Sequence, residues 1–408
     1  MRTGNATRSH YSSWLGPYAG EVTARETVEI DKLVAGGEGL ARGADGRVLF
    51  VPGVAPGETV EVEIVETQRD FARARLVSVG IASEKRRTPP CPRVAEGCGG
   101  CDWQHLDLHA QGAYKRAIVT EAYARTGRIE VEPLLRRISG DARRTTVRVA
   151  SEGAGCGFRM AGSHEVVPTG NCMVAHDAIN ALLAAPLLDG AGEVTIRTGA
   201  RTGETAAWCH DGRLVEGLAV RTGRNARITE VVDGRTYEVS MESFFQSSPE
   251  AAELIVDSVR RRLDRTGASG GRLVDAYGGV GLFALAFADR FDEMVLVEES
   301  RSACRDAVRN LVDTATVVEN VKLEQWEPCP ASTVVADPSR QGLGRQGARA
   351  LVETGAGNIV LVSCDPVAAA RDARYLVEAD FELVEVEVLD IFPETHHVEV
   401  VAAFRARD

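Results

Sequence analysis

Three stretches of the 408-residue chain carry side chains whose types and spacing suit covalent and acid–base chemistry. In Asn358-Ile-Val-Leu-Val-Ser-Cys364-Asp-Pro366 a thiol follows an apolar, β-branched run. Such a run reads as a buried parallel strand, and its carboxyl end is the edge where open α/β sheets bind ligands. Thr333-Val-Val-Ala-Asp337-Pro-Ser-Arg340 has the same form, with an acid where the other has a thiol. Two adjacent strands delivering Cys364 and Asp337 to one rim make a site for nucleophilic catalysis. A second acid, Glu399, opens a strand after Pro393-Glu-Thr-His-His397-Val. Its pattern alone does not separate a catalytic acid from a solvated one.

Thiols also gather upstream. Cys91 is followed by Cys98-Gly-Gly-Cys101-Asp-Trp103, and the glycines Gly97, Gly99 and Gly100 let the backbone wrap closely. Thiolates in such a loop suit zinc or iron–sulfur. A fourth ligand has to come from elsewhere, and Cys172 in Thr169-Gly-Asn-Cys172 competes with Cys156 for the place. Nine cysteines in all is an odd count, which argues against a disulfide framework.

These residues need elements to hold them. Arg272-Leu-Val-Asp275-Ala-Tyr-Gly-Gly-Val-Gly281 reads as a strand running into a glycine-rich turn and a helix from Leu282. Glu293-Met-Val-Leu-Val-Glu298 then reads as a second strand ending in an acid, placed to meet the ribose hydroxyls of an adenosine-type ligand. The turn lacks the full three-glycine dinucleotide fingerprint, which favours S-adenosylmethionine over NAD. Ser248-Pro249 is a helix start, with Leu254, Ile255, Val259 and Leu263 as its apolar stripe. Near the other end, the alternating runs at Thr27–Asp31, Arg47–Pro52, Val60–Val65 and Phe71–Val77, punctuated by Pro52-Gly53 and Pro56-Gly57, predict a small OB-like β-barrel. A helix is expected over 103–128, ended by Gly127.

The expected architecture is an α/β chain in four parts. Residues 1–25 form a tail, 26–82 the barrel, and 83–243 a mixed α+β central region that includes the cysteines. A Rossmann-like domain over 244–408 completes it. Apolar residues make up 44% and charged residues 26% of the chain, an ordinary globular balance. No stretch has the length of a membrane span, and the first residues lack the apolar core of a signal peptide, so the expected location is the cytoplasm. A net charge of −12 weighs against non-specific nucleic-acid binding by the whole surface. Lys85-Arg86-Arg87, Arg136-Arg137 with Arg143, Arg144 and Arg148, and Arg221, Arg224 and Arg227 are the local basic patches left for that task.

In joint order and spacing, these pieces resemble the RNA uracil-5-methyltransferase family, its iron–sulfur ribosomal RNA branch in particular. The matching residues are Cys91, Cys98-Gly-Gly-Cys101-Asp-Trp, Cys172, Phe245-Gln246, Asp275-Ala-Tyr-Gly-Gly-Val-Gly, Glu298, Asp337-Pro-Ser-Arg, Ser363-Cys364-Asp-Pro and Pro393-Glu-Thr-His-His-Val-Glu399. The barrel is similar to a TRAM domain. The resemblance implies Cys364 as nucleophile and Glu399 as base. It further implies Gln246, Tyr277, Glu298, Asn320 and Asp337 around S-adenosylmethionine, and Cys91, Cys98, Cys101 and Cys172 around a [4Fe–4S] cluster, with zinc as the alternative metal. The implied substrate is a looped-out or flipped uridine of RNA, 23S rRNA ahead of transfer RNA, with no membrane and no obligate protein partner. The chain departs from the family's pattern at Gly278, where Cys is frequent, and at Leu282, where Asn is frequent; its middle region is also short. RNA cytosine-5 methylation and a non-catalytic RNA-binding or ribosome-assembly role are the rival readings.

Overall fold

The structure is a computed structural model that describes residues 22–139, 143–151, 153, 155–212 and 220–407. Most of the expected 1–25 tail lies outside the described residues. The chain divides into two compact units. The first comprises residues 1–111, 157–169 and 394–396; the second holds 112–156, 170–393 and 397–408.

In the first unit, strands Ala24–Leu33, Gly39–Arg42, Val48–Val51, Thr59–Thr67 and Phe71–Ile81 close into a five-stranded barrel. Alternation along these strands turns Val28, Ile30, Val51, Val60, Val62 and Ala74 inward, which is how the barrel acquires a core. The buried Glu58 carboxylate is gripped by Arg86, whose Nη2 lies 2.7 Å from it, and by the Ala55 N–H at 2.8 Å. Arg86 therefore holds the barrel together and is not free for RNA.

The second unit is built on an eight-stranded sheet. Its order is Thr316–Asn320, Glu293–Glu298, Arg272–Ala276, Thr333–Ala336, Asn358–Ser363, Glu399–Ala406, Phe381–Asp390 and Leu134–Arg137. The first five strands are parallel, and Glu399–Ala406 runs antiparallel to both of its neighbours. From Arg272–Ala276 the chain winds outward to Thr316–Asn320, then crosses back to Thr333–Ala336. The strand order reverses there, which opens a ligand crevice at the carboxyl edge. Helix Pro249–Thr266 starts as its sequence predicts: Ser248 Oγ accepts from Ala251 N, Pro249 fills the first turn, and Gly267 ends the helix at φ 67°. Ile255, Val259 and Leu263 are buried, whereas Leu254 lies at the edge of the core.

The helix expected over 103–128 is shorter. It spans Leu108–Ala122, because Asp107 takes the N–H groups of His109 and Ala110 and acts as its cap. A π-helical turn, Tyr123–Gly127, and Arg128 at φ 57° end it. The basic patches are largely spent on ion pairs: Arg136 with Glu387 and Asp257, Arg137 with Asp390, Arg148 with Glu193, Arg221 with Glu204, Arg224 with Glu242 and Arg227 with Glu238. No helix among the described residues is long and apolar enough to cross a membrane.

The Lys115–Asp390 ion pair is enclosed. Lys115 Nζ lies 2.5 Å from Asp390 and donates to the Phe392 carbonyl at 2.9 Å, with side-chain exposures of 0% and 4% for Lys115 and Asp390. Removing Lys115 leaves Asp390 to the partly exposed Arg137, 3.3 Å away. Lys115→Ala is therefore expected to destabilise the protein by about 1–3 kcal/mol in urea unfolding, against under about 1 kcal/mol for an exposed pair such as Arg349–Glu353.

Candidate active site

Sheet register brings the expected residues of the second unit to one rim. Ala276, Val297 and Ala336 lie side by side in the parallel strands, so Tyr277, Glu298 and Asp337 form the next row, and Asn320 pairs with Glu298. Asp337 N–H donates to the Ala276 carbonyl at 3.2 Å, closing the row across the switch point. Next along the sheet, Asn358 pairs with Arg405 and Ser363 with Val400. One further step places Cys364 opposite Glu399, on the same carboxyl edge.

Local sequence explains each position. Cys364 follows the fully buried run Ile359–Ser363, then Asp365 caps the next helix by accepting from Val367 N at 2.9 Å and Ala368 N at 2.7 Å. Pro366 begins that helix, Pro366–Glu378. The thiol thus sits in a strand-to-helix turn that cannot continue either element. In the glycine turn, Gly279 adopts φ 55° and a Cβ there would meet nothing, whereas a Cβ on Gly278 would stand 2.5 Å from Leu296. The departure at Gly278 is thereby explained by packing: the Leu296 side chain takes the space of a larger residue. Tyr277 itself holds φ 59°, strained for a residue with a Cβ, and its hydroxyl donates to Glu324 at 3.0 Å.

The carboxyl groups show what this rim can bind. Glu298 accepts from Gly279 N at 3.1 Å and Ser300 N at 2.7 Å, one bond per oxygen. Each oxygen keeps acceptor capacity for a ligand hydroxyl. Asn320 Nδ2 donates to the Glu298 and Glu299 carbonyls at 3.0 and 2.9 Å, so it braces the acid's backbone. Asp275, wholly buried, accepts from Ala284 N at 2.8 Å, while its Oδ1 has no partner. A glycine cradle, an oriented acid and an orphaned buried oxygen fit the adenosyl group of S-adenosylmethionine. Gln246 is buried beside Phe245, while Phe244 is 73% exposed.

Burial also crowds negative groups together. Burial, then the charges of Glu399 and Asp337, push the Cys364 thiol up to about 12, against a smaller opposing pull from Arg340. Burial raises Asp337 to about 7 and Asp275 to about 7, the latter helped by Asp337 and Glu298. Glu399 is 4% exposed, its Oε1 has no partner, and burial followed by Asp337 drives its carboxyl well above the ordinary range. Three roles escaped the sequence reading: Asp275 beneath the turn, Glu324 on Tyr277, and Arg340, whose charge opposes the rise at Cys364. Asp275 and Arg340 stand inside runs that were singled out, whereas Glu324 has no local signal.

Among the described residues, no group of three or more Cys, His, Asp or Glu side chains is gathered to hold a metal ion. Cys91, Cys98 and Cys101 lie in the first unit and Cys172 in the second. Backbone hydrogen bonds shape the loop: Cys98 N to Arg93 O at 3.0 Å, Gly99 N to Arg159 O at 3.0 Å and Ala161 N to Gly97 O at 3.1 Å. Gly99 is needed because a Cβ would stand 3.0 Å from the Ala161 backbone. The glycines thus serve close packing on the hairpin Gly157–Arg159/Val166–Pro168.

Carboxyls held above their unfolded values bind more protons when folded, so stability falls as pH rises through that window. The melting temperature is expected to drop between about pH 5 and about pH 8. Glu399→Gln removes one buried ionisation, and should raise stability at about pH 8 with little change at about pH 5. Calorimetry at the two pH values checks this.

Comparison with known proteins places the chain. Residues 21–77 match the TRAM domain. An uncharacterized RNA methyltransferase of Streptomyces avermitilis is 33% identical, over 92% of this chain and 96% of the relative. A 23S rRNA (uracil(1939)-C(5))-methyltransferase of Shewanella amazonensis is 29% identical, over 95% of this chain and 97% of its own. The crystal structure of Pyrococcus abyssi tRNA (uracil-54, C5)-methyltransferase, in complex with S-adenosyl-L-homocysteine, shares the fold. Its TM-score is 0.72 at 24% identity, covering 93% of this chain and 100% of that one. The barrel, the switch-point crevice and a relative matched along nearly its whole length agree: the chain belongs to the TRAM-containing RNA methyltransferase family.

Proposed function

We propose that the protein methylates carbon 5 of a uridine in 23S rRNA, with Cys364 as nucleophile and Glu399 as base. The pairing register that sets Cys364 opposite Glu399 carries this reading. The Shewanella relative supports ribosomal over transfer RNA as the target.

Carbon 5 of uracil is a weak nucleophile. Cys364, once deprotonated, adds to carbon 6 and sends the C5=C6 electron pair toward carbon 5 and the O4 carbonyl, giving an enolate-like adduct. S-adenosylmethionine, when bound, supplies an electrophilic methyl group, and Gln246, Tyr277, Glu298, Asn320 and Asp337 would hold it. After carbon 5 carries the methyl group, Glu399 takes the carbon-5 proton. The double bond then re-forms and the C6–S bond breaks, which returns the thiolate. A carboxylate buried as Glu399 is binds a proton more strongly than one in water, which suits a carbon acid. The cost falls on the thiol, which burial and two acids hold protonated. The charge of Arg340 favours the thiolate. A stacked uracil cannot reach Cys364, so the target base must be looped out or flipped.

With purified 23S rRNA fragments and labelled S-adenosylmethionine, Cys364→Ala is expected to lose all turnover and all covalent complex. Glu399→Gln should methylate once and then accumulate a denaturation-resistant protein–RNA adduct, with turnover down at least about a hundredfold. Turnover by Cys364→Ala would overturn the assignment. Methylated cytosine as product would redirect the reading to the cytosine-5 reaction.

A further inference from the structure

The buried Gln246 belongs to the run Ser243-Phe-Phe-Gln-Ser247, an arch whose Phe244 stands out in solvent. Burial of its own crest therefore does not shape the arch, and its two ends have to. The far end is held where the Ser247 carbonyl accepts from Thr145 N at 2.8 Å. The near end is the turn Ser240-Met-Glu-Ser243, which follows strand Arg235–Ser240. That turn already closes through Ser243 N and the Ser240 carbonyl at 3.1 Å. Two buried charged side chains nevertheless converge on it.

Arg197, in strand Gly192–Thr198, is 5% exposed and donates to both carbonyls that bound the turn. Its Nη1 reaches Ser240 O at 2.5 Å and its Nη2 reaches Ser243 O at 2.8 Å, while Nε donates to Thr146 Oγ1 at 3.0 Å. Burial lowers the guanidinium to about 10, with the Asp306 charge opposing, so it remains charged at pH 7. Asp306, in helix Arg301–Asn310, takes the matching donors: Ser240 N at 2.9 Å, Ser240 Oγ at 2.6 Å and Ser243 Oγ at 2.6 Å. Arg309 pairs with the same carboxylate. Desolvating two charges costs more free energy than closing a turn requires, so the clamp fixes the turn's position as well as its shape.

The same segment leans on the glycine turn of the rim. The Phe245 ring centroid is 5.9 Å from that of Tyr237, whose hydroxyl donates to the Leu282 carbonyl at 3.1 Å, just after Gly281. Asn310 joins the same two parts. Its Nδ2 donates to the Glu238 and Val280 carbonyls at 3.1 and 2.9 Å, and its Oδ1 accepts from Glu238 N at 2.8 Å. We propose that Arg197, acting with Asp306 through the turn at 240–243, is a positioning residue for Gln246 and thereby for S-adenosylmethionine. This rests on the cofactor role given to Gln246 in the reading above. Three residues separate Ser243 from Gln246, a reach of at most roughly 10 Å, so a clamp at Ser243 limits where the amide can travel.

Titration calorimetry with S-adenosyl-L-homocysteine reads the effect without RNA. Arg197→Met keeps the apolar stem but donates nothing, and is expected to weaken binding about tenfold; Arg197→Lys, which can still reach one carbonyl, should weaken it about threefold or less. In turnover with RNA, KM for S-adenosylmethionine should rise in parallel while kcat at saturation stays within about threefold. When Gln246→Ala is already present, Arg197→Met should cost under about twofold more, because the residue it positions is gone. Ser243→Ala removes only the hydroxyl bonded to Asp306 and should weaken binding about threefold, again with no further effect beside Gln246→Ala. It provides the test if Arg197→Met does not fold. Full additivity with Gln246→Ala, or unchanged binding by the clamp variants, would overturn the proposal while leaving the cofactor role of Gln246 intact. If Gln246→Ala binds as tightly as the unsubstituted protein, or the unsubstituted protein does not bind, the cofactor reading has failed and the proposal falls with it.

Discussion

The antiparallel pairing of Asn358–Ser363 with Glu399–Ala406 is the constraint on which the site depends. Five parallel strands alone would line up Asn320, Glu298, Tyr277 and Asp337, enough to hold a cofactor at a switch point. Folding the last strand back beside the cysteine strand adds an acid to the same edge, arriving from the opposite chain direction. A one-residue slip in that register would turn Glu399 to the other face of the sheet. The buried valines and alanines of Glu399–Ala406, packed on both faces, make such a slip costly.

That arrangement trades stability for chemistry. Asp275, Asp337 and Glu399 stand in a low-dielectric edge where each disfavours ionisation of its neighbours, and the thiol shares the penalty. On the proposed mechanism, a solvated rim would be more stable and worse at its task, because a base weakened by water removes a carbon-bound proton less readily. Elsewhere the protein pairs its buried charges. Glu58 with Arg86 and Asp390 with Lys115 are structural, and they take up basic residues that a net charge of −12 already leaves scarce for RNA.

Much of this was legible in the residues. Alternation with Pro-Gly turns marked the barrel, and apolar runs ending in Asp337, Cys364 and Glu298 marked the strand ends at the rim. Those signals are local, so one window of sequence contains both the cause and the element. The strand opened by Glu399 was visible, but its partner was not, since antiparallel return beside Asn358–Ser363 is a tertiary choice. Basic runs read as RNA patches proved to be mostly ion-paired, because their acidic partners lie far off in sequence; Arg136 and Glu387 are an example. Helix Leu108–Ala122 began late because Asp107 outcompetes the preceding turn for the first N–H groups. In the cysteine loop, glycines of the kind that suit a metal also seat the loop against a hairpin.

The central claim is that Cys364 and Glu399 act on one uridine of 23S rRNA. The most direct measurement is mass mapping of modified nucleotides in ribosomal and transfer RNA from cells lacking the gene, followed by add-back of purified protein with S-adenosylmethionine. The account predicts that a single 5-methyluridine in 23S rRNA disappears and is restored by the unsubstituted protein but not by Cys364→Ala. Unchanged 5-methyluridine throughout both RNA classes would contradict it, and would favour a protein that binds RNA without methylating uracil.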